Sequence, residues 1–149
     1  MNISNSFSIS SSALTAQRLR MDVISSNIAN AETTRASVSN GEAVPYKRKM
    51  VVLEPNKTSF SSILQNQMGN KTSGEGVRVS EIREDQSPLK PVYDPSHPDA
   101  NAEGYVYMPN VDIAKEMVDM ISASRSYEAN VTALNSTKAM ITKALEIGR

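Results

Sequence analysis

Apolar positions gather at the two ends of the chain in a rhythm of three and four. Near the C-terminus Met117, Met120, Ser124, Tyr127, Val131, Leu134, Ile141 and Leu145 follow it, with Lys138 as the interruption. This is the period at which helices pack along a shared seam. Near the N-terminus Phe7, Leu14, Met21 and Ile28 are spaced by seven, with Ile24 and Ala31 between them. The pattern predicts a mainly α fold with a small β insert: a helix over 1–34, a strand-and-loop segment over 35–109 and a helix over 110–149, the two helices pairing as a coiled-coil-like unit. Seams at both ends suit a chain built to assemble.

Between the ends the periodicity changes. The Ser- and Asn-rich lead Asn2–Ser12 is a weak helix former, because its side chains compete for backbone hydrogen bonds, and it is expected to fray until a neighbour pins it. After Thr33 and Thr34 the helical pattern lapses, and Ser37–Gly41 reads as loop with a turn at Asn40-Gly41. Tyr46–Leu53, bounded by Pro45 and Pro55, has the β-branched and aromatic content of a strand. Val77–Arg83 alternates as a strand with one wet face. The polar stretch between them predicts a mobile loop over 55–75 with one short helix around Phe60–Met68.

Pro88, Pro91, Pro95 and Pro98 then break regular structure across Ser87–Asp99, and Tyr105–Met108 supplies a last short strand. Asn110 is placed to cap the second helix, with Asp112 in its first turn where the helix dipole favours negative charge. Gly148 suits the other end. A helix over 111–147 would be about 55 Å long at roughly 1.5 Å per residue.

Composition narrows the function classes. Aromatic residues make up only 5% of 149 residues, with no Trp, which leaves few large side chains to close an enzyme-like core. Sixteen cationic residues balance sixteen anionic ones, so the chain offers no net attraction to nucleic acid or an anionic membrane. No Cys is present, which removes disulfides, thiolate metal sites and thiol catalysis. Met1–Gln17 has neither a basic n-region nor a continuous apolar run, so no cleavable secretory signal is expected. The longest apolar runs fall far short of the ~20 residues that span a bilayer, so no membrane insertion is expected either. On these grounds the chain reads as cytosolic unless it leaves by a route without a cleaved leader.

Candidate chemistry is sparse. Asp94-Pro-Ser-His97-Pro-Asp99 gathers a hydroxyl, the single imidazole and two carboxylates. A triad needs such groups converging from rigid elements opposite an oxyanion hole, and a metal needs about three or four ligands, so one proline-rich stretch reads as an ordinary polar loop. No catalytic, metal or cofactor residue is assigned. Lys47-Arg48-Lys49 is a basic cluster, but alternation on a strand lets at most two of the three share a face, and it reads as a solvated or subunit-contacting strand. Met117 and Met120 read as adaptable packing. Arg18, Asn27, Asn30, Arg125, Glu128 and Asn130 lie beside the seams. They are either a solvated flank or polar groups that fix the register between helices.

The residues carry a resemblance. Ala13–Asp22 (ALTAQRLRMD) with Ser26–Thr33 (SNIANAET) resembles the N-terminal signature of bacterial flagellar rod and hook proteins. Pro109–Asp112 (PNVD), Glu116-Met117 and Arg125–Asn130 (RSYEAN) resemble its C-terminal counterpart. Pro45–Lys49 and Tyr93–Met108 are similar to the proximal-rod members of that flagellar basal-body rod family, and the likeness lapses across Asn56–Gly74. Thr33 and Thr34 run into Arg35-Ala36 where several relatives continue Thr-Pro-Gly-Tyr, which points away from a distal-rod or hook member.

The resemblance implies a structural, non-enzymatic subunit of the proximal rod. Such a subunit assembles helically with other rod proteins and with copies of itself to pass motor torque to the hook and filament. It implies export by the flagellar type III apparatus without a cleaved signal, and residence in the rod within the cell envelope. It implies no cofactor, nucleic acid or small-molecule substrate. Two alternatives stay open on the residues alone: a coiled-coil adaptor or other secreted axial protein that forms a discrete oligomer, and a hydrolase using His97.

Overall fold

The computed structural model describes residues 3–39, 42–56 and 76–147. In chain order these form helix α1 (Ile3–Ala29), strands β1 (Ser37–Ser39), β2 (Glu42–Val44), β3 (Lys49–Pro55), β4 (Val77–Glu84), β5 (Lys90–Tyr93) and β6 (Tyr105–Met108), and helix α2 (Ile113–Ile147). The strands make three two-stranded sheets, β1–β2, β3–β4 and β5–β6. The chain thus has long helices at both ends and a small strand-containing middle. The helix expected around Phe60–Met68, the turn at Asn40-Gly41, the cap at Gly148 and all but the first two residues of the loop expected over 55–75 lie outside the described residues.

The chain divides into two compact units. One comprises Met1–Leu19, Val52–Glu81 and Ala123–Arg149; the other comprises Arg20–Val51 and Ile82–Ser122. In the first, the Ser-rich lead is helical from Ile3 instead of frayed. Its hydroxyls bond back to carbonyls of the preceding turn: Ser12 Oγ donates to the Ile9 carbonyl at 2.7 Å and Thr15 Oγ1 to the Ser11 carbonyl at 3.1 Å. Ser12 Oγ also accepts from the Val77 amide at 3.2 Å, so a neighbour that pins the lead belongs to the same chain. β3 and β4 run antiparallel, as the Asn56 amide donating to the Gly76 carbonyl at 2.7 Å and the Ser80 hydroxyl donating to the Val52 carbonyl at 3.3 Å show. Ala16, Ala123 and Thr137 are the buried side chains of this unit among the described residues.

Gly76 is held to its type by Ser12. A Cβ there would stand 2.5 Å from Ser12 Oγ and 3.3 Å from Ser12 Cβ. The hydroxyl cannot yield without giving up its bonds to Ile9 and Val77. Gly76→Ala is therefore expected to lower stability by about 1–3 kcal/mol, the usual range for overpacking. The double variant Ser12→Ala, Gly76→Ala should recover part of the loss in a thermal melt, because the nearest atom is gone.

In the second unit three sequence expectations need correction. Ser37–Ser39 is not loop but pairs with Glu42–Val44, in the register Ser37↔Val44. Two short strands satisfy each other's backbone groups, and a polar composition does not prevent it. Proline does not exclude a strand over 90–93 either: Pro91 sits opposite Tyr107 in an antiparallel pair. Both strands of a two-stranded ribbon are edges, so a residue without an N–H can face outward. Finally, Asn110 does not cap α2. Asp112 does, its Oδ1 accepting from the Ala114 and Lys115 amides at 3.0 and 3.3 Å.

The strand read over Tyr46–Leu53 begins only at Lys49 and runs to Pro55, whereas Val77–Glu84 begins at the residue expected and ends one beyond. Before Lys49, Tyr46 and Arg48 turn their side chains to Asn27 and Glu116, and the Arg48 carbonyl accepts from the Asp85 amide at 2.8 Å. Val23, Ile24, Tyr46, Val106 and Val111 form the buried apolar positions of this unit together with Pro45 and Pro109. Two polar side chains, Asn27 and Glu116, are each only 1% exposed among them.

Candidate functional site

Asn27 and Glu116 are the anchor points of a polar junction that draws α1, the 46–49 segment and α2 together. Asn27 lies near the end of α1 and behaves toward Lys49 like a neighbouring strand. Its Oδ1 accepts from the Lys49 amide at 2.9 Å and its Nδ2 donates to the Lys49 carbonyl at 2.9 Å. The same amide donates to Glu116 Oε2 at 2.9 Å and accepts from the Tyr46 hydroxyl at 3.0 Å. Two donors at the oxygen and two acceptors at the nitrogen leave no capacity unused. Ser26 Oγ lies 3.4 Å from the Tyr46 hydroxyl and extends the chain of bonds by one.

Glu116 sits one turn inside α2 and is held by two groups. Besides Asn27, it takes Arg48: Nε donates to Oε1 at 2.7 Å, and Nη2 lies 2.6 Å from the same oxygen. Arg48 also pairs with Asp85 at 3.4 Å and stands 3.8 Å from Asp119, which in turn pairs with Arg20 at 3.5 Å. Its side chain is 14% exposed, against 1% for Glu116. Asn110 completes the frame, its Oδ1 accepting from the Arg48 amide at 3.0 Å and its Nδ2 donating to the Ser87 carbonyl at 3.3 Å. Asn110 therefore positions Arg48 and leaves the helix cap to Asp112.

The electrostatics agree with the geometry. Burial alone would lower the Arg48 pKa, but the hydrogen bonds and charges of Glu116, and then of Asp85, raise it above the ordinary arginine value. Asp85 is held below the usual carboxylate range, first by the hydroxyl and amide of Ser87, against the opposing effect of burial, and then by Arg48. Asn27, Glu116 and Arg48 spend their polar groups on one another and on Lys49, Tyr46 and Asp85. What it can do is lock three segments in one register.

The residues predicted from the seams spread over several environments. Ile24 is buried; Leu14, Met21, Ile28, Met120, Tyr127, Val131, Leu134 and Ile141 are half-buried; Phe7, Met117 and Leu145 are 44%, 55% and 71% exposed. Of the polar set, Asn27 enters the junction. Asn30 and Asn130 each bond one turn back, to the Ser26 and Ser126 carbonyls at 2.9 and 2.8 Å. Arg18, Arg125 and Glu128 are exposed. Reading the sequence missed Tyr46 and Arg48 as partners of Asn27 and Glu116. The sequence puts Arg48 on a solvated or subunit-contacting strand, and a segment bounded by proline with two further cations gives no sign that its middle charge turns inward.

The Asp94–Asp99 loop spends its polar groups on bonds within itself and on Thr34 and Arg35. Asp94 Oδ1 accepts from the Ser96 hydroxyl at 2.6 Å and amide at 3.1 Å, and His97 Nδ1 accepts from the Asp99 amide at 3.1 Å. Asp99 takes the Thr34 hydroxyl at 2.8 Å and pairs with Arg35. Among the described residues no group of three His, Asp or Glu side chains could hold a metal ion. No described helix is long and apolar enough to cross a membrane.

Asp94 is lowered chiefly by Ser96, and Asp99 by Arg35 and then Thr34. The folded values of Asp85, Asp94 and Asp99 thus lie below the unfolded ones. The stability they give is complete above the ordinary aspartate range and is lost as pH falls through the folded values. An NMR carboxyl titration is expected to place all three transitions below that range, and the thermal midpoint should fall over the same acid window.

Comparison with known proteins places both ends of the chain. Residues 7–36 match the family described as flagella basal body rod protein. Residues 102–147 match the one described as flagellar basal body rod FlgEFG protein C-terminal. Over 150 residues, 100% of each chain, the sequence is 63% identical to the flagellar basal-body rod protein FlgC of Bacillus subtilis. It is 46% identical over 154 residues to the FlgC of Borreliella burgdorferi, covering 99% of this chain and 98% of the other. It is 45% identical over 149 residues to that of Escherichia coli O157:H7, covering 100% of both.

Proposed function

The chain belongs to the flagellar basal-body rod protein family, and from that premise we propose that it acts as the proximal-rod subunit. It is a structural component of the bacterial flagellar basal body that assembles with other rod components. The observation that carries this reading is the 63% identity to a rod protein over the full length of both chains.

The finer reading is that the terminal segments, 1–34 and 110–149, form the axial core and pair as a coiled-coil-like unit, with 35–109 as an insert. Their seams meet neighbouring copies and other rod proteins. A contact between unlike patches that does not close on itself generates an open helical array, which suits a rod. Densely interdigitated side chains resist shear, so such an array transmits torque without any reacting group. The Asn27–Glu116–Arg48 junction fits a register key, since buried polar groups are best attested in that role. Export by the flagellar type III route delivers the chain to the rod within the cell envelope.

Basal bodies purified from swimming cells and analysed by mass spectrometry test the assignment. The chain is expected at a stoichiometry comparable to the other axial proteins, and a strain lacking it should neither build a rod nor swim until it is restored. Its absence from basal bodies that contain the other rod proteins would overturn the reading.

A further inference from the structure

The β5–β6 register sets Tyr93 opposite Tyr105. Of the two kinds of position in an antiparallel pair this is the closer one, because both backbone groups of Tyr105 turn away from Tyr93. Its amide donates to Asn101 Oδ1 and its carbonyl accepts from the Asn101 amide, each at 2.9 Å. The hydrogen-bonded position comes one residue later, where the Asp94 amide donates to the Gly104 carbonyl at 3.0 Å. Directly opposed side chains have Cβ atoms about 4.5–5.5 Å apart, and here the two rings meet edge to face with centroids 5.3 Å apart. Gly104 makes room for the pair: a Cβ there would stand 3.1 Å from Tyr93 Cε2. Tyr93 is 66% exposed and Tyr105 41%. The other tyrosines are placed differently. Tyr46 is buried with its hydroxyl on Asn27, Tyr127 lies in the other compact unit, and Tyr107 stands opposite Pro91.

We propose that Tyr93 and Tyr105 form a site of oxidative modification, at which a one-electron oxidant joins the two rings by a carbon–carbon bond. Each phenol gives up one electron and its hydroxyl proton. The two radicals join through ring carbons next to the hydroxyl-bearing ones, and the hydrogens on those carbons move to the oxygens, which restores both phenols. The pair thus loses two electrons and two protons. Hydrogen peroxide acting through a haem peroxidase takes them up and leaves as two molecules of water.

Several features favour this coupling over its competitors. The chain has no Cys and no Trp, the side chains that most readily draw an oxidising equivalent away from tyrosine. Exposure admits the oxidant to both rings and lets their planes, inclined by 67°, turn to form the bond. Groups held side by side also react without waiting for two chains to meet, as though at a concentration far above that of the protein in solution. Tyr107 shares the face of Tyr105 but is only the diagonal neighbour of Tyr93, at about 7–8 Å on the strand lattice, so it is the slower partner. The bond ties β5 to β6 across the 94–104 connection in a chain that cannot form a disulfide. Unlike a disulfide, it is not reversed by thiols.

The test treats the purified full-length chain with hydrogen peroxide and a haem peroxidase, with free tyrosine in a parallel reaction as the check on the oxidant. Cleavage after glutamate separates Tyr93 from Tyr105 at Glu103. Mass spectrometry is expected to find the two peptides joined, lighter than their sum by two hydrogen atoms, in protein that still runs as a monomer on a denaturing gel. Tyr93→Phe and Tyr105→Phe keep both rings packed and should each lower the intrachain yield by at least about tenfold, whereas Tyr107→Phe should leave it within about twofold. Dimers as the main product, a link to Tyr107 in place of Tyr105, intrachain coupling that survives either of the first two substitutions, or no coupling while free tyrosine reacts would each overturn the proposal. None of these outcomes touches the rod reading, which stands on the identity to rod proteins.

Discussion

Replacing Glu116 with leucine is expected to lower stability by about 2–4 kcal/mol, a large share of the roughly 5–15 kcal/mol that holds a domain folded. The reason is the group left behind. Glu116 is 1% exposed and accepts from both Arg48 and Asn27, so its loss strands a guanidinium whose side chain is only 14% exposed and removes one of the amide's two acceptors. Breaking one side of a buried pair costs about 3–5 kcal/mol. Asp85 at 3.4 Å and Asp119 at 3.8 Å keep part of the Arg48 charge covered, which places the estimate toward the lower end. For a chain of this size the thermal midpoint should drop by about 5–15 °C.

Glu116→Gln keeps the shape and one acceptor, and should cost about 1–2 kcal/mol. The informative variant is the double one, Arg48→Met with Glu116→Leu. Apolar replacement of both partners of a buried pair is often neutral or stabilising, so most of the lost stability should return. If the junction is a register key, that stable double variant should still fail to build rods in cells. Stability regained together with normal swimming would reduce the junction to one packing solution among several.

How much of this was legible beforehand varies by element. Both helices announce themselves because apolar residues recur at helical spacing over several turns, and Val77–Glu84 because strict alternation has no other economical reading. β1 and β5 are hidden for a different reason. Each is short and is fixed by its partner across the ribbon: Ser37–Ser39 by Val44 and its neighbours, Pro91 by Tyr107. A property of a pair does not show in either sequence taken alone. The α2 cap was misread by two residues because Asn110 and Asp112 are equally good cap types, and only the demand of the Arg48 amide for an acceptor separates them.

The junction itself was half visible. Asn27 falls inside a helical pattern near apolar positions, where an amide is conspicuous. Arg48 and Glu116 look like ordinary surface charges in their local context, and what buries them is each other across 68 residues. Long-range charge pairing has no periodicity for a local reading to detect.

Asn27→Asp is the sharpest probe of that junction, because it changes almost no volume and inverts one end of the side chain. The Asn27 oxygen already faces two donors, the Lys49 amide and the Tyr46 hydroxyl, and tolerates the change. The nitrogen faces the Lys49 carbonyl and Glu116 Oε2, both at 2.9 Å, and an oxygen there meets two acceptors, one of them charged. At neutral pH two hydrogen bonds turn repulsive, and the expected loss is about 3–5 kcal/mol. The introduced carboxyl has its folded pKa raised above the unfolded value of about 3.9 by Glu116 and by burial. Its penalty is therefore small below that value and grows as pH rises until the folded pKa is passed. The stability gap to the unsubstituted chain, measured at matched pH, should narrow on acidification. Asn27→Ala deletes the same bonds without adding a titrating group, so its gap should hold far more steady over that window. Parallel profiles for the two variants would mean that the introduced carboxyl swings out to solvent, and that the geometry around Asn27 is looser than its four hydrogen bonds imply.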